Sequence, residues 1–283
     1  MILAAARAEW FKLVRRPAVW VTIGLLLALT VGIGYVITYL VAGHPPADAA
    51  RTGAEVASLH SDLHPQSLVK KSLSNAGTLD AIFALILGVL TQGSEYAWGT
   101  VKTAQTQLPG RLAIAVGQVG SMTLLVLIMV LGTFATDALA SYLIAVADGA
   151  STTFPAAGEM ARGIGAQWLI FEFAAIFGFG LATMFRQSAM AMGLGLGYLL
   201  VIENLVLGLL EALGDTFKNF HQLLPVANAG YLQQAFGQVS EVVGLEISSP
   251  KPVVATRAVI LLAARTLGIV ACAAGVIRAR DVG

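Results

Sequence analysis

Charged residues are scarce in this sequence. Only 12% of the 283 residues are charged, whereas 57% are hydrophobic, and the mean hydropathy is +0.79. A soluble domain typically carries about a quarter charged residues, so this chain has too little polar surface to remain in water. The composition therefore excludes a soluble globular protein and predicts an all-α integral membrane protein.

The sequence also lacks the signatures of several functional classes. The net charge is only +1 and no basic stripe is present, whereas a nucleic-acid-binding protein carries one. The single cysteine, Cys272, excludes an internal disulfide. The motifs G-x-x-x-x-G-K-S/T, H-E-x-x-H and G-x-S-x-G do not occur. We therefore expect a protein that is not an enzyme and that binds no cofactor, metal ion or nucleic acid itself.

Long apolar runs predict six membrane-spanning α-helices. One crossing of the hydrocarbon layer needs about 20 apolar residues, and an α-helix satisfies its own backbone hydrogen bonds there. The predicted spans are 18–42, 78–92, 112–136, 163–185, 188–213 and 253–277. The third run stays apolar as far as Ala147, so its helix either tilts and protrudes or breaks near Gly132 or Asp137.

The whole chain, 1–283, is predicted to be a single transmembrane domain. Three longer segments connect its spans on one side of the membrane. The segments are 43–75, 148–162 and 214–252. The last one lies between spans five and six and mixes aromatic, amide and leucine residues. That mixture predicts short amphipathic helices lying at the outer membrane surface.

The distribution of basic residues predicts the orientation. Nine bases lie in the short loops on the other side, and seven are spread over the longer segments. The nine are Arg7, Lys12, Arg15, Arg16, Lys102, Arg111, Arg186, Arg278 and Arg280. Because Lys and Arg close to span ends favour the cytoplasm, both termini are predicted to be cytoplasmic, in a protein of the plasma membrane.

The residues before the first span, 1–16, predict an amphipathic helix at the membrane interface. In "MILAAARAEWFKLVRRP" apolar residues recur at helical spacing, while most of the bases lie elsewhere. Glu9, Trp10, Lys12 and Arg15 are its candidate contacts with lipid headgroups and with a protein partner. The alternative is an ordinary basic flank of the first span.

A polar segment, 93–111, interrupts the apolar sequence between spans two and three. It reads "GSEYAWGTVKTAQTQLPGR", which is too long for a minimal turn and too short for a catalytic domain. Good helix formers precede a Pro-Gly stop, so we expect a short helix lying across the cytoplasmic membrane face. A solvated loop is the alternative.

Glu172, Glu203, Asn204 and Arg265 are polar residues that lie well inside predicted spans. Charges at this depth normally face the bundle interior or a wet cavity. An ion pair of Arg265 with Glu203 or with Glu172 would form a structural brace. Alternatively, one carboxylate lines a transport path, which would favour cationic or amphipathic cargo.

Two histidines, His60 and His64, are spaced i, i+4 in the first of the longer segments, with Asp62 between them. This spacing places the two imidazoles on one helix face. Metal coordination needs more ligands than the pattern supplies, so no metal site is predicted.

Two of these segments resemble the ABC-2-type permeases, which are the membrane subunits of ATP-binding-cassette exporters. "GSEYAWGTVKT" and the "LPGR" that follows it resemble the family's G-x-E-Y-x-x-G-T…P-x-R segment between spans two and three. "AEWFKLVRRPAVW" resembles its E-x-x-K-L-x-R-x-P start of the first span. The order of interfacial helix, six spans, polar loop and long outer segment is similar as well.

The resemblance implies that 93–111 is the coupling helix, which docks into an ATPase subunit. Its contact residues would be Glu95, Tyr96, Gly99, Thr100 and Lys102. The chain would then be the permease subunit of an exporter for hydrophobic or amphipathic cargo. It would work with a second permease subunit, as a homodimer or a heterodimer, and with ATPase subunits that bind ATP and Mg²⁺. The alternatives are a non-transporting membrane scaffold and an ion-coupled carrier that uses Glu172 and Glu203.

Overall fold

The computed structural model describes residues 2–43, 58–74, 76–77, 79–97, 111–203, 205–206, 224–237, 241–242, 245–246 and 252–279. Nearly all of them are helical, which confirms the predicted all-α class. Four helices are long and apolar enough to cross a membrane, as expected of a membrane-embedded protein. Among the described residues there is also a two-residue antiparallel ladder, Glu241–Val242 with Leu245–Glu246.

The helices are numbered here in chain order. They are α1 Ile2–Val14, α2 Pro17–Gly43, α3 Leu68–Ser74, α4 Leu79–Ala97, α5 Arg111–Ala147, α6 Ala157–Phe185, α7 Ser188–Ile202, α8 Pro225–Gln234 and α9 Pro252–Ala279. The geometry is π-helical over Thr30–Ile37 within α2 and over Tyr198–Ile202 at the end of α7. A 3₁₀ turn, Pro65–Ser67, precedes α3.

The four helices long and apolar enough to cross are α2, α5, α6 and α9, and each contains one of the predicted spans. α3 and α4 form an apolar pair that bends by 56° and makes a fifth crossing if the two count as one broken span. α7 is a shorter apolar helix, and the rest of predicted span five, beyond residue 206, lies outside the described residues. The count of six spans therefore remains a prediction.

The break between α1 and α2 is set by proline. Pro17 is the first residue of α2, where its fixed φ suits a helix start. The residue before a proline is pushed out of the helical region, and Arg16 is accordingly extended, with φ −82° and ψ 117°. This change of direction ends α1 and frees the Arg16 side chain to reach another helix.

α5 is one unbroken helix of 37 residues. At 1.5 Å per residue its length is about 55 Å, well beyond the roughly 30 Å of a hydrocarbon layer. The sequence left two alternatives for this run, and the structure selects the tilted or protruding helix over a break at Gly132 or Asp137. Asp137 lies inside the bundle with 1% of its surface exposed.

α4 and α6 pack backbone to backbone and form the centre of the bundle. A Cβ at Gly88 of α4 would collide with the carbonyl oxygen of Ala175 in α6, and a Cβ at Gly178 would collide with the carbonyl oxygen of Leu85. Small residues permit this close approach in membrane helices. The two helices therefore form a closely packed pair at the centre of the bundle.

α8 comes from the long segment 214–252, and it packs inside the protein instead of lying at a surface. Nine of its ten residues are buried, and Nε2 of Gln233 donates a hydrogen bond to the Leu73 carbonyl at 2.6 Å. The expectation of a surface helix is wrong for this part of the segment, because its residues, amides included, are buried against other helices.

Candidate functional site

A buried ion cluster joins the start of α2 to the end of α4. Glu95 is 2% exposed, and its Oε1 accepts a hydrogen bond from Nη2 of Arg16 and another from Nζ of Lys12 at 3.3 Å. Nη1 of Arg16 donates to Oγ of Ser94 at 2.5 Å. We call Lys12, Arg16, Ser94 and Glu95 the α1–α4 junction. The junction fixes the position of α4 relative to α1.

Glu9 adds a second acid at the edge of this junction. It is buried on the side of α1 that faces the bundle, and Nζ of Lys12 lies 2.8 Å from its Oε1. Burial raises the pKa of Glu9, and the Lys12 ammonium opposes that rise. The cluster thus balances two cations against two carboxylates in a largely dry contact, where an unpaired charge would be costly.

α1 packs lengthwise on the first part of α5. Its buried face carries Ala5, Glu9 and Leu13 at i, i+4 spacing. The two helices approach closely because Gly117 of α5 has no side chain, and a Cβ there would lie 2.9 Å from the backbone nitrogen of Ala6. α1 is therefore an integral part of the bundle as well as an amphipathic helix.

The opposite face of α1 is exposed and carries Arg7 and Phe11, and Arg15, the residue after the helix, continues the same i, i+4 spacing. Phe11 is 56% exposed, and the guanidinium carbon of Arg15 lies 3.9 Å from the centroid of its ring. We call these three residues the α1 stripe. Of the predicted contact residues, Arg15 lies on this stripe, Trp10 and Lys12 are half-buried, and Glu9 faces the bundle.

The predicted coupling residues divide into two groups. α4 continues to Ala97, so Glu95 and Tyr96 belong to its last turn and not to a segment that begins at 93. Glu95 is held inside the junction, whereas Tyr96 is half-buried. Gly99, Thr100 and Lys102 lie outside the described residues.

The two carboxylates within the spans are hydrogen-bonded by polar groups of other helices. Oε1 of Glu172 accepts a hydrogen bond from Oγ1 of Thr123 at 2.6 Å. Oε1 of Glu203 accepts hydrogen bonds from the backbone nitrogens of Val226 at 2.5 Å and Ala227 at 3.2 Å, which are orphan donors at the start of α8. Asn204, beside it, lies outside the described residues.

Neither expected ion pair with Arg265 is formed. No carboxylate oxygen of Glu172 or Glu203 lies within 4.0 Å of its guanidinium, and Nη1 of Arg265 is buried without a hydrogen-bond partner in the part of the chain that the structure describes. The brace is replaced by two separate local contacts, because Glu203 is drawn to the N-terminus of α8 and Glu172 to α5.

Arg265 instead lines a cavity of about 610 Å³ between α6 and α9. The remaining lining is almost wholly apolar and includes Phe173, Phe177, Met184 and Ile269. Arg265 is the one charged residue among the residues that line it. We call this space the α6–α9 cavity. Its volume and lining are those of a small-molecule site, with a cation at one place on the wall.

Two of these features were missed at the level of the sequence. Arg16 was counted only as a cytoplasmic base. Its position just before Pro17 and the position of Glu95 after the second apolar run both fall on the predicted cytoplasmic side. The two opposite charges could therefore have been expected to pair. The α6–α9 cavity has no such signal, because its lining comes from helices far apart in the chain.

Comparison with known proteins adds no assignment, since neither a protein-family model nor a curated protein matches this chain. The function is therefore argued from the residues themselves.

Proposed function

We propose that this chain is the permease subunit of an ATP-driven exporter of the plasma membrane, with six crossings and both termini in the cytoplasm. It works with a second permease subunit and with separate ATPase subunits, which bind ATP and Mg²⁺. The observation that carries the proposal is the α1–α4 junction, because it ties the helix leading into the polar segment 98–110 to the N-terminal helix. The resemblance of both segments to ABC-2-type permeases agrees with it.

In this proposal the ATPase binds the polar segment after α4 together with the α1 stripe. Glu95 is then a positioning residue, since it is buried against Arg16 and Lys12 and is not presented to a partner. A movement of the end of α4 carries α1 with it through these charged hydrogen bonds. The movement passes on to α6 through the backbone contact at Gly88, and so reaches the α6–α9 cavity.

The α6–α9 cavity supports a hydrophobic or amphipathic cargo, because its lining is almost wholly apolar. Its one cation, Arg265, favours an anionic headgroup over a cationic one, because a guanidinium forms strong charge-assisted hydrogen bonds with carboxylate and phosphate. The carboxylates that would have favoured cationic cargo, Glu172 and Glu203, are absent from the cavity lining and are already hydrogen-bonded elsewhere.

Replacing Arg265 by glutamine is expected to weaken the binding of a fluorescent long-chain fatty acid by about tenfold, since a hydrogen bond to a charged group contributes about 1.5–3 kcal/mol. The methyl ester of the same acid should bind equally well to both proteins. Fluorescence titration of the full chain in detergent measures the two affinities. Arg257→Gln is the matched control, because Arg257 is on the same helix but does not line the cavity. Unchanged affinity for the acid in Arg265→Gln would refute an anionic headgroup.

The coupling role is tested on a residue that the resemblance assigns and that is not one of the four residues that define the junction. Charge reversal of Lys102 to glutamate is expected to reduce stimulation of a co-expressed ATPase by about tenfold, as for a central interface contact worth over 1 kcal/mol. The protein should still insert and purify. Co-purification and ATP hydrolysis are measured against Arg162→Ala, which removes an exposed base at the start of α6. Full stimulation in Lys102→Glu would show that this segment does not couple to the ATPase.

Two other functions make different predictions for the same measurements. A non-transporting scaffold would bind a partner without stimulating ATP hydrolysis. An ion-coupled carrier would transport on a proton or sodium gradient without ATP, and would need Glu172 or Glu203 to exchange its ion. Glu172 is hydrogen-bonded to Thr123, and Glu203 to the start of α8. Because these contacts give both carboxylates a structural role, they favour the exporter over a carrier that exchanges ions at these residues.

A further inference from the structure

Two histidines and one aspartate converge at the end of the bundle away from the α1–α4 junction. Nε2 of His64 lies 3.2 Å from Oδ2 of Asp148, and Nε2 of His60 lies 3.6 Å from the same oxygen. The three ligand atoms all lie within 4.8 Å of one another. We propose that His60, His64 and Asp148 bind one divalent transition-metal ion, and that Zn²⁺ fits the site best.

The two separations between Asp148 and the histidines are close to those that a tetrahedral zinc ion imposes. Zinc bonds to imidazole nitrogen and carboxylate oxygen are about 2.0–2.2 Å long, so ligand atoms at tetrahedral corners are about 3.3–3.5 Å apart. The two distances from Asp148 Oδ2 bracket this value. Two imidazoles and one carboxylate favour Zn²⁺ over Mg²⁺ or Ca²⁺, which prefer oxygen ligands. Three protein ligands leave the fourth position to water or to an incoming ligand.

The local structure holds the two histidines in place. Leu63 lies between them in sequence and is completely buried, so it anchors the segment to the bundle. Asp62, the carboxylate that the sequence placed nearest, is turned away and accepts hydrogen bonds from Nζ of Lys70 at 2.8 and 2.7 Å. The third ligand is therefore Asp148, which lies 84 positions from His64 along the chain.

Asp148 is itself oriented by a neighbouring helix. The hydroxyl of Tyr39, near the end of α2, donates a hydrogen bond to Oδ1 of Asp148 at 3.2 Å, which leaves Oδ2 directed at the histidines. An outer partner of this kind commonly fixes a metal-ligating carboxylate. A bound ion would thus clamp the segment before α3 to the ends of α2 and α5. This inference is independent of the proposed exporter function.

Zinc binding to the full chain tests the proposal. The protein is purified in detergent with an affinity tag that contains no histidine, and Zn²⁺ is titrated against a chromophoric chelator. One Zn²⁺ per chain is expected. His64→Ala and Asp148→Asn should lower the affinity by at least about 100-fold, because losing a ligand costs more than the 10–100-fold cost of losing an outer partner. Tyr39→Phe should lower it by about tenfold.

Asp62→Asn is the matched control, because it removes a carboxylate from the same turn without touching the three ligands. It should bind Zn²⁺ as the unaltered protein does. Co²⁺ in place of Zn²⁺ should give the strong visible absorption of a four-coordinate site, and helical circular dichroism shows that each variant is folded. Absence of saturable binding, or equal affinity in the unaltered protein and His64→Ala, would overturn the proposal. An equal loss in Asp62→Asn would overturn the ligand set.

Discussion

Replacing Glu95 by alanine is expected to lower the free energy of unfolding by about 3 kcal/mol, the lower end of the cost of breaking a buried ion pair. The change leaves the guanidinium of Arg16 and the ammonium of Lys12 in the junction with one acid, Glu9, in place of two. The lower end applies because Arg16 and Lys12 keep some contact with solvent. Unfolding of the purified chain by sodium dodecyl sulfate in mixed micelles measures the change.

Two further variants show whether this loss belongs to the junction. Glu159→Ala removes an exposed acid at the start of α6 and should change the free energy of unfolding by less than about 0.5 kcal/mol. The double variant Arg16→Ala/Glu95→Ala should be less destabilised than the sum of the two single variants by about 1–3 kcal/mol. Additive effects would mean that the two side chains do not interact, and would remove the rigid link from the proposed mechanism.

Measuring transport and ATPase stimulation beside the free energy of unfolding separates two possible roles of Glu95. It either positions α4 or contacts the ATPase directly. If Glu95 positions α4, transport per folded molecule should fall together with stability, and Glu95→Gln should recover part of both because its amide still accepts a hydrogen bond from Arg16. If Glu95 touched the ATPase directly, Glu95→Ala would abolish stimulation at unchanged stability. Burial of Glu95 favours the first outcome.

The sequence predicted best those helices whose limits are set locally. α2 begins where Pro17 forces Arg16 out of helical geometry, and α9 begins at Pro252, one residue before the predicted span. A long apolar run between such signals determines a crossing helix without reference to the rest of the protein. The limits of α4 were less accurate, because Ser94 and Glu95 look like loop residues until their partners on another helix are known.

The polar sites are formed by residues that are distant in the chain. Hydrophobic periodicity predicts helices, but it does not indicate which distant residues meet. Arg16 and Glu95 are 79 positions apart, and Glu203 meets the nitrogen of Val226 across 23 positions. For the same reason the sequence showed only Asp62 near His60 and His64 and predicted no metal site, whereas the fold brings Asp148 to both histidines. Glu172, Glu203 and Arg265 were recognised as residues that need a partner, but which partner each takes is decided by how the helices pack.

Adding a single methyl group at Gly88 is expected to destabilise the protein by about 3 kcal/mol or more, at or above the usual cost of overpacking. The new Cβ of Gly88→Ala would collide with the backbone carbonyl of Ala175, and a carbonyl inside a helix cannot rotate away as a side chain can. α4 would have to separate from α6, which also loosens the path from the junction to the α6–α9 cavity. Thermal unfolding in detergent and the yield of folded protein report the effect.

At a glycine with open space around it, substitution by alanine is expected to leave stability unchanged or to raise it. A Cβ at Gly193 in α7 meets no atom within 4 Å, so Gly193→Ala should be neutral or stabilising by up to about 1 kcal/mol, the difference in helix propensity. If both variants were equally stable, close backbone packing of α4 on α6 would be disproved. If both were equally destabilised, the cost would lie in helix geometry and not in the contact at Ala175. Only a large loss confined to Gly88→Ala agrees with close backbone packing of α4 on α6, the contact through which movement at the junction would reach the cavity in the proposed mechanism.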